Sequence, residues 1–468
     1  MHSSTRGYAS EDKLGGGTEE IMLERLRELS GYPSAIVGLG IIALLIIISI
    51  YAVIAIPYGE AVRLWRGGPG VWDENPQAAL PVWVDWFTQG RESRTIVVNS
   101  TEAFSTTEAL GNDKVRIVRT LPFSFAYDGF PTEVKLFLNV QSERSVRPMY
   151  TVLWKMPDGR GISLTTSPRP IRSGQDTFYI TQDATVSSAF PGGTPTAVGL
   201  FLDESSAEAR RPAKGQYALV VEAEVPEGVD IAAKLVVYGE IHGLAGTDHL
   251  RRDLTVALLW GTPLALIFGV LAAIGSTLLT FVLAGISTWY GGWLDALFQR
   301  ITQVNMIIPM LPVLIMVGQF YNRSLWLMLA LIVLLSIFSA ALLSYRAMFL
   351  QAKEAAYIEA ARAYGAKGPR IIFRYLLPRI VPVLLPTFVV SVPGFVFLEA
   401  SLAVIGLGDP VLPTWGKIIN DAQAQSALYK GLYYWVIEPA VLLMVTGFAF
   451  AMVGYALDRI LNPRLRTV

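Results

Sequence analysis

Few residues in this chain are equipped for covalent or metal chemistry. Its 468 residues include no cysteine and three histidines, His2, His242 and His249, none paired at metal-ligand spacing. Thiol catalysis, disulfides and zinc–thiolate sites are therefore excluded, and no bound metal is expected. No Gly-x-x-x-x-Gly-Lys-Ser/Thr loop is present to hold nucleotide phosphates, so the chain is not expected to be an ATPase or any other enzyme and should carry no cofactor. What remains is a set of residues suited to docking. Glu354-Ala355-Ala356-Tyr357-Ile358-Glu359-Ala360-Ala361-Arg362-Ala363-Tyr364-Gly365 continues to Leu377-Pro378. Alanine and glutamate favour a helix, Gly365 suits the left-handed position just beyond its end, and Pro369 suits the start of the next helix. The small faces of Ala360 and Ala361 let a partner backbone approach closely, while Glu359 and Arg362 offer charge-assisted contacts.

The surrounding elements place this segment at a membrane. Hydrophobic residues make up 52% of the chain and charged residues 16%, against about 25% charged in soluble domains. Lys+Arg 38 balances Asp+Glu 38, leaving no global field to attract nucleic acid. Residues 36–56 form an uncharged apolar run of the roughly 20 residues needed to cross a bilayer as a helix. Five further apolar blocks follow, near 257–288, 306–320, 325–343, 381–405 and 435–457, giving six expected spans. The third, interrupted by Pro309 and Pro312, is expected to begin nearer Gln299. Arg346, Lys353, Arg362, Lys367, Arg370, Arg374 and Arg379 follow the fourth span, and Arg459, Arg464 and Arg466 follow the sixth. Positive charge marks cytoplasmic loops, so both termini and the 354–378 segment are expected in the cytoplasm of a plasma-membrane protein. Residues 1–33 read as a polar tail followed by an amphipathic helix, either lying on the membrane surface or packed on the protein.

Between residues 58 and 245 the chain becomes soluble in character. Short β-branched and aromatic runs at 95–98, 133–140 and 217–223 alternate with turns at Pro157-Asp158-Gly159, Pro191-Gly192-Gly193 and Pro226-Glu227-Gly228. This pattern predicts an antiparallel β-rich, sandwich-like or barrel-like domain on the extracytoplasmic side, inserted between a first helix at 34–57 and a helical membrane core at 246–468.

In register, Glu359-Ala360-Ala361, Gly365 and Leu377-Pro378 resemble the signature of the permeases of binding-protein-dependent ABC importers, with Tyr375 where that family prefers isoleucine. Gly246-Thr247-Asp248-His249-Leu250-Arg251-Arg252-Asp253, the Gly291-Gly292 connector, Glu399-Ala400-Ser401-Leu402 with Gly406-Leu407-Gly408 and Trp415-Gly416, and Asn462-Pro463-Arg464-Leu465 are similar to the C-type subunit of the dipeptide/oligopeptide class. Arg251 stands where that class has glycine, a change expected to alter the local turn. The resemblance implies a six-span permease forming half of a translocation pathway, most simply for peptides and alternatively for oligosaccharides. It implies a second permease, two ATPase subunits that hold ATP and magnesium, and an extracytoplasmic binding protein as partners. It also assigns ATPase coupling to Glu359, Ala360, Ala361, Arg362 and Gly365. An ion-coupled secondary transporter, or a membrane-anchored receptor, is the rival from another class. Glu399, an ionisable residue inside an apolar span, suits either a pathway role or a bond between helices. Pro378, Pro382, Pro386 and Pro393 suit either a hinge or a purely structural kink.

Overall fold

The computed structural model describes residues 31–88, 92–100, 104–111, 114–141, 147–171, 174–190, 193–203 and 211–461. The expected tail and amphipathic helix before residue 31, and the Asn462-Pro463-Arg464-Leu465 segment with Arg466, lie outside these residues. The chain divides into two compact units, one drawn from 1–65, 256–426 and 436–468, the other from 66–255 and 427–435.

The first unit is helical. Helix α1 (Pro33–Ala55) carries no charge, and exposed Ile47, Ile50 and Ile54 show that its outer surface is apolar. Helix α2 (Leu254–Tyr290) is followed by α3 (Gly292–Ile307), α4 (Met310–Phe320), α5 (Leu325–Ile337) and α6 (Ala340–Lys353). Next come α7 (Ala356–Ala363), α8 (Leu377–Leu402), α9 (Trp415–Ala424) and α10 (Tyr434–Leu461). Among the described residues four helical stretches are long and apolar enough to cross a membrane: Pro33–Ala55, Leu254–Tyr290, Gly368–Leu407 and Tyr434–Ile460. Two more candidate spans are broken pairs, α3 with α4 bent by 76° and α5 with α6 bent by 46°. The third candidate span starts at Gly292, earlier than the expected Gln299. It breaks at Ile308 and Pro309, where proline cannot continue the hydrogen-bond ladder. The fourth breaks at Phe338 and Ser339, so it is not the single helix expected.

Small residues bring these helices together. A Cβ on Gly38 of α1 would lie 2.7 Å from the Ala449 carbonyl oxygen of α10, and one on Gly269 of α2 would lie 2.5 Å from Val396 Cγ2 of α8. Lipid supplies no hydrophobic force between helices, so such close backbone approach, with its dispersion energy, is what holds a membrane bundle. Helix α8 runs unbroken through Pro382, Pro386 and Pro393. Ahead of Pro378 the residues Ile372–Leu376 form a π turn, closed by the Leu377 N–H on the Ile372 carbonyl, and this wide turn leaves room for the proline ring.

The second unit is a β-sandwich. A four-stranded sheet has the order β1-β10-β4-β8, and a second sheet the order β2-β3-β9-β5-β6 with β7 paired to β5. The strands are β1 (Ile96–Asn99), β2 (Phe104–Gly111), β3 (Lys114–Phe125), β4 (Glu133–Gln141), β5 (Met149–Lys155), β6 (Gly161–Ser163), β7 (Arg169–Pro170), β8 (Gln175–Tyr179), β9 (Gly215–Pro226) and β10 (Asp230–Tyr238). Every pairing between these strands is antiparallel. Along β9, Tyr217, Leu219, Val221, Ala223 and Val225 are buried in alternation. With Leu136, Leu138 and Val237 from the facing sheet they form one shared core, the signature of two sheets packed face to face. The turns at 157–159 and 226–228 fall between β5 and β6 and between β9 and β10, as expected. Two short helices, Ala184–Ser188 and Thr196–Phe201, were not foreseen.

Arg251 adopts φ +66°, a left-handed conformation that favours glycine. The cost of that backbone, about 1–2 kcal/mol, is offset by its side chain. Its guanidinium donates to the Asn75 carbonyl at 2.8 Å, pairs with Glu133, and stacks over Tyr238.

Candidate functional site

Helix α7 ends in a complete C-terminal motif. The Gly365 N–H donates to the Arg362 carbonyl at 2.9 Å and the Ala366 N–H to the Ala361 carbonyl at 3.0 Å, with Gly365 at φ +80°. This pair of bonds is the Schellman arrangement; a residue with a side chain is strained at the left-handed position. One face of α7 buries Ile358 and Ala361, and Ile358 joins a cluster with Phe281, Phe349, Ile371 and Leu376, which anchors the segment to α2, α6 and the start of the next helix. The opposite face carries Glu359, Ala360 and Arg362, with Tyr364 93% exposed beyond it. The five residues singled out in the sequence therefore separate. Ala361 faces inward, Gly365 shapes the exit, and Glu359, Ala360 and Arg362 lie on the outer surface.

The connection to α2 was not legible in the sequence. The Arg362 guanidinium lies over the Trp289 ring at 4.7 Å, in the last turn of α2. Lys353 Nζ donates to the Thr288 and Trp289 carbonyls at 3.0 and 3.1 Å. A cation at a helix C-terminus satisfies carbonyls left without partners and complements the macrodipole. Nearby, Arg346 of α6 clasps Asp295 of α3 through two bonds of 2.7 and 2.6 Å. Helix α7 is thus tied to α2 through packed side chains and to α6 through the chain itself. Glu359 is exposed and makes no ion pair among the described residues.

Glu399 of α8 is buried, 5% exposed, in the turn of α8 that packs on the start of α9. Beside it Trp415 donates its indole N–H to the Leu258 carbonyl of α2 at 3.0 Å, and a Cβ on Gly416 would meet the Ala400 carbonyl oxygen at 2.6 Å. This geometry places Glu399 at a helix junction. Among the described residues no group of three or more His, Cys, Asp or Glu side chains is arranged to hold a metal ion.

Comparison with known proteins places this arrangement in a family. Residues 265–467 match the model of the binding-protein-dependent transport system inner membrane component. The oligopeptide transport system permease protein OppC of Bacillus subtilis (strain 168) is 30% identical over 222 residues, covering 47% of this chain and 72% of the relative. The dipeptide transport system permease protein DppC of the same organism is 29% identical over 222 residues, 47% of this chain and 68% of its own length. The glutathione transport system permease protein GsiD of Pectobacterium atrosepticum is 29% identical over 223 residues, 47% of this chain and 73% of its own length. With the helical unit, the Glu359–Gly365 segment and these likenesses in agreement, the chain belongs to the family of binding-protein-dependent transport system inner membrane components.

Proposed function

We propose that this chain is one of two permease subunits of an ATP-driven peptide importer and forms half of its translocation pathway. The observation that carries the reading is the outward face of α7, tied to α2 and α6 and offering Glu359, Ala360 and Arg362 beyond a left-handed Gly365. In this reading α7 seats in a groove of a separate ATPase, which supplies nucleotide and magnesium. Closure of two ATPases draws the two α7 helices together, and the bundles rock between inward-open and outward-open states.

Each bent pair counts as one span, giving six. The basic residues from Arg346 to Arg379 lie on the cytoplasmic side, as do both termini. The β-sandwich, within the 58–245 insertion, then stands outside the membrane and docks the substrate-binding protein. Peptide is the favoured cargo because the similar permeases named above are oligopeptide, dipeptide and glutathione transport proteins.

The test is purification of the chain from its native membrane in mild detergent with mass spectrometry of what accompanies it. A second permease and two Walker-motif ATPases are expected. Reproducible recovery of the intact chain without any ATPase would instead favour an ion-coupled transporter or an anchored receptor.

A further inference from the structure

The two helix breaks of the bundle meet at one cavity of about 400 Å³, a size typical of small-ligand sites. Its walls come from α2, α8 and both broken pairs, and none of its lining residues is charged. Ser276, Thr280, Asn305, Ser339, Thr387 and Ser391 face it. Polar side chains are costly at membrane depth, so their concentration around one void calls for an account.

Part of the account is internal. Asn305 Nδ2 donates to the Leu335 and Phe338 carbonyls at 2.8 Å each, and Thr280 Oγ1 donates to the Ile337 carbonyl at 3.0 Å. These bonds satisfy the carbonyls released where α5 ends. With no carboxylate among its lining residues, the cavity offers nothing to neutralise a bare cation. What remains directed to ligand is neutral and of both kinds. Ser276 and Ser391 give their protons to Ala272 and Phe388 of their own helices and keep hydroxyl lone pairs, as Asn305 keeps its Oδ1. Helices α4 and α6 begin at the breaks without a side-chain cap, their N-cap residues being Pro309 and Ser339, which leaves first-turn N–H groups to find other partners. Acceptors for an N–H and donors for a carbonyl, in a site without charge, match the two ends of an amide.

We infer that this cavity is where the backbone amides of a passing peptide touch this subunit, at the broken spans, an inference that rests on the peptide-importer reading above. Recognition of the backbone alone makes the contact indifferent to peptide sequence.

The chain's lack of cysteine permits a direct test. Ser336→Cys on α5 and Thr277→Cys on α2 each place a thiol on the cavity lining, from different helices, and Ser344→Cys on the exposed side of α6 is the control. In the complete importer in proteoliposomes, alkylation of this subunit by N-ethylmaleimide is followed by mass with and without tri-alanine. At about twice the half-saturating peptide concentration roughly a third of sites are free, so alkylation at the two wall positions is expected to slow about threefold, with the control unchanged. If tri-alanine is transported while both wall positions react at the same rate, the cavity assignment fails and the importer reading survives. If the complex transports no peptide, both fail.

Discussion

At the scale of single residues, Gly365 and Glu240 make opposite demands on their surroundings. Gly365 needs a conformation, φ +80°, in open space, so a larger residue meets no clash but incurs about 1–2 kcal/mol of backbone strain at the end of α7. Gly365→Val is expected to lower peptide uptake per ATP hydrolysed at least severalfold while the chain still inserts and assembles; unaltered coupling would remove α7 from the mechanism. Glu240, beyond β10, needs a proton. Burial, and then the adjoining Glu92 carboxyl, push its pKa from the ordinary carboxylate range up to about 8. The folded state thus holds a proton that the unfolded chain releases near pH 4.3, and the associated stability, complete below that value, is lost as pH rises through about 8. The unfolding temperature of the full chain should accordingly fall between pH 5 and pH 9, and Glu240→Gln should flatten that dependence. An identical slope in the variant would assign the effect elsewhere.

At the scale of elements, packing between helices is set by where side chains are missing. Gly38 lets α1 lie against the α10 backbone, and Gly38→Leu must part the two helices. A loss of about 1–3 kcal/mol is expected, read as a lower unfolding temperature in detergent, whereas Gly40→Leu on the same helix, with nothing within 4 Å of its Cβ, should be nearly silent. The spans were legible because uncharged runs near 20 residues have few other uses, and the C-terminal turn of α7 because glycine after an alanine-rich stretch has a physical reason to be there. The breaks were less legible. Pro309 marked the first, but Ile337-Phe338-Ser339 contains neither proline nor glycine, and its carbonyls are satisfied by Asn305 and Thr280 from other helices. The seat of Arg362 on Trp289 was hidden for the same reason: residues remote in sequence meet only once the helices are packed. In the β-sandwich, alternation located β1, β4 and β9 closely, while strand order depends on pairings between distant segments that no local pattern encodes.

At the scale of the whole molecule, the β-rich unit takes residues 427–435 from a stretch that follows α9, far beyond the rest of its chain. Tyr434 donates its hydroxyl to the Thr247 carbonyl at 2.7 Å, and Trp435, 1% exposed, stacks on His249 with ring centroids 5.6 Å apart. Replacing 427–435 by a Gly/Ser stretch of equal length is expected to leave the bundle inserted but to speed proteolysis of the β-rich unit in intact membranes; an unchanged cleavage rate would show that the late segment only decorates the surface. The arrangement also orders events on the ribosome. Residues 66–255 emerge early and can form their strands at once, yet the partners of Thr247 and His249 are synthesised only after the helices from α2 to α9 have been made. The sandwich core needs no residue from 427–435, but the seam at Thr247 and His249 is covered only when nearly the whole polypeptide has been made, and an interrupted chain leaves that seam open for quality-control proteases to recognise.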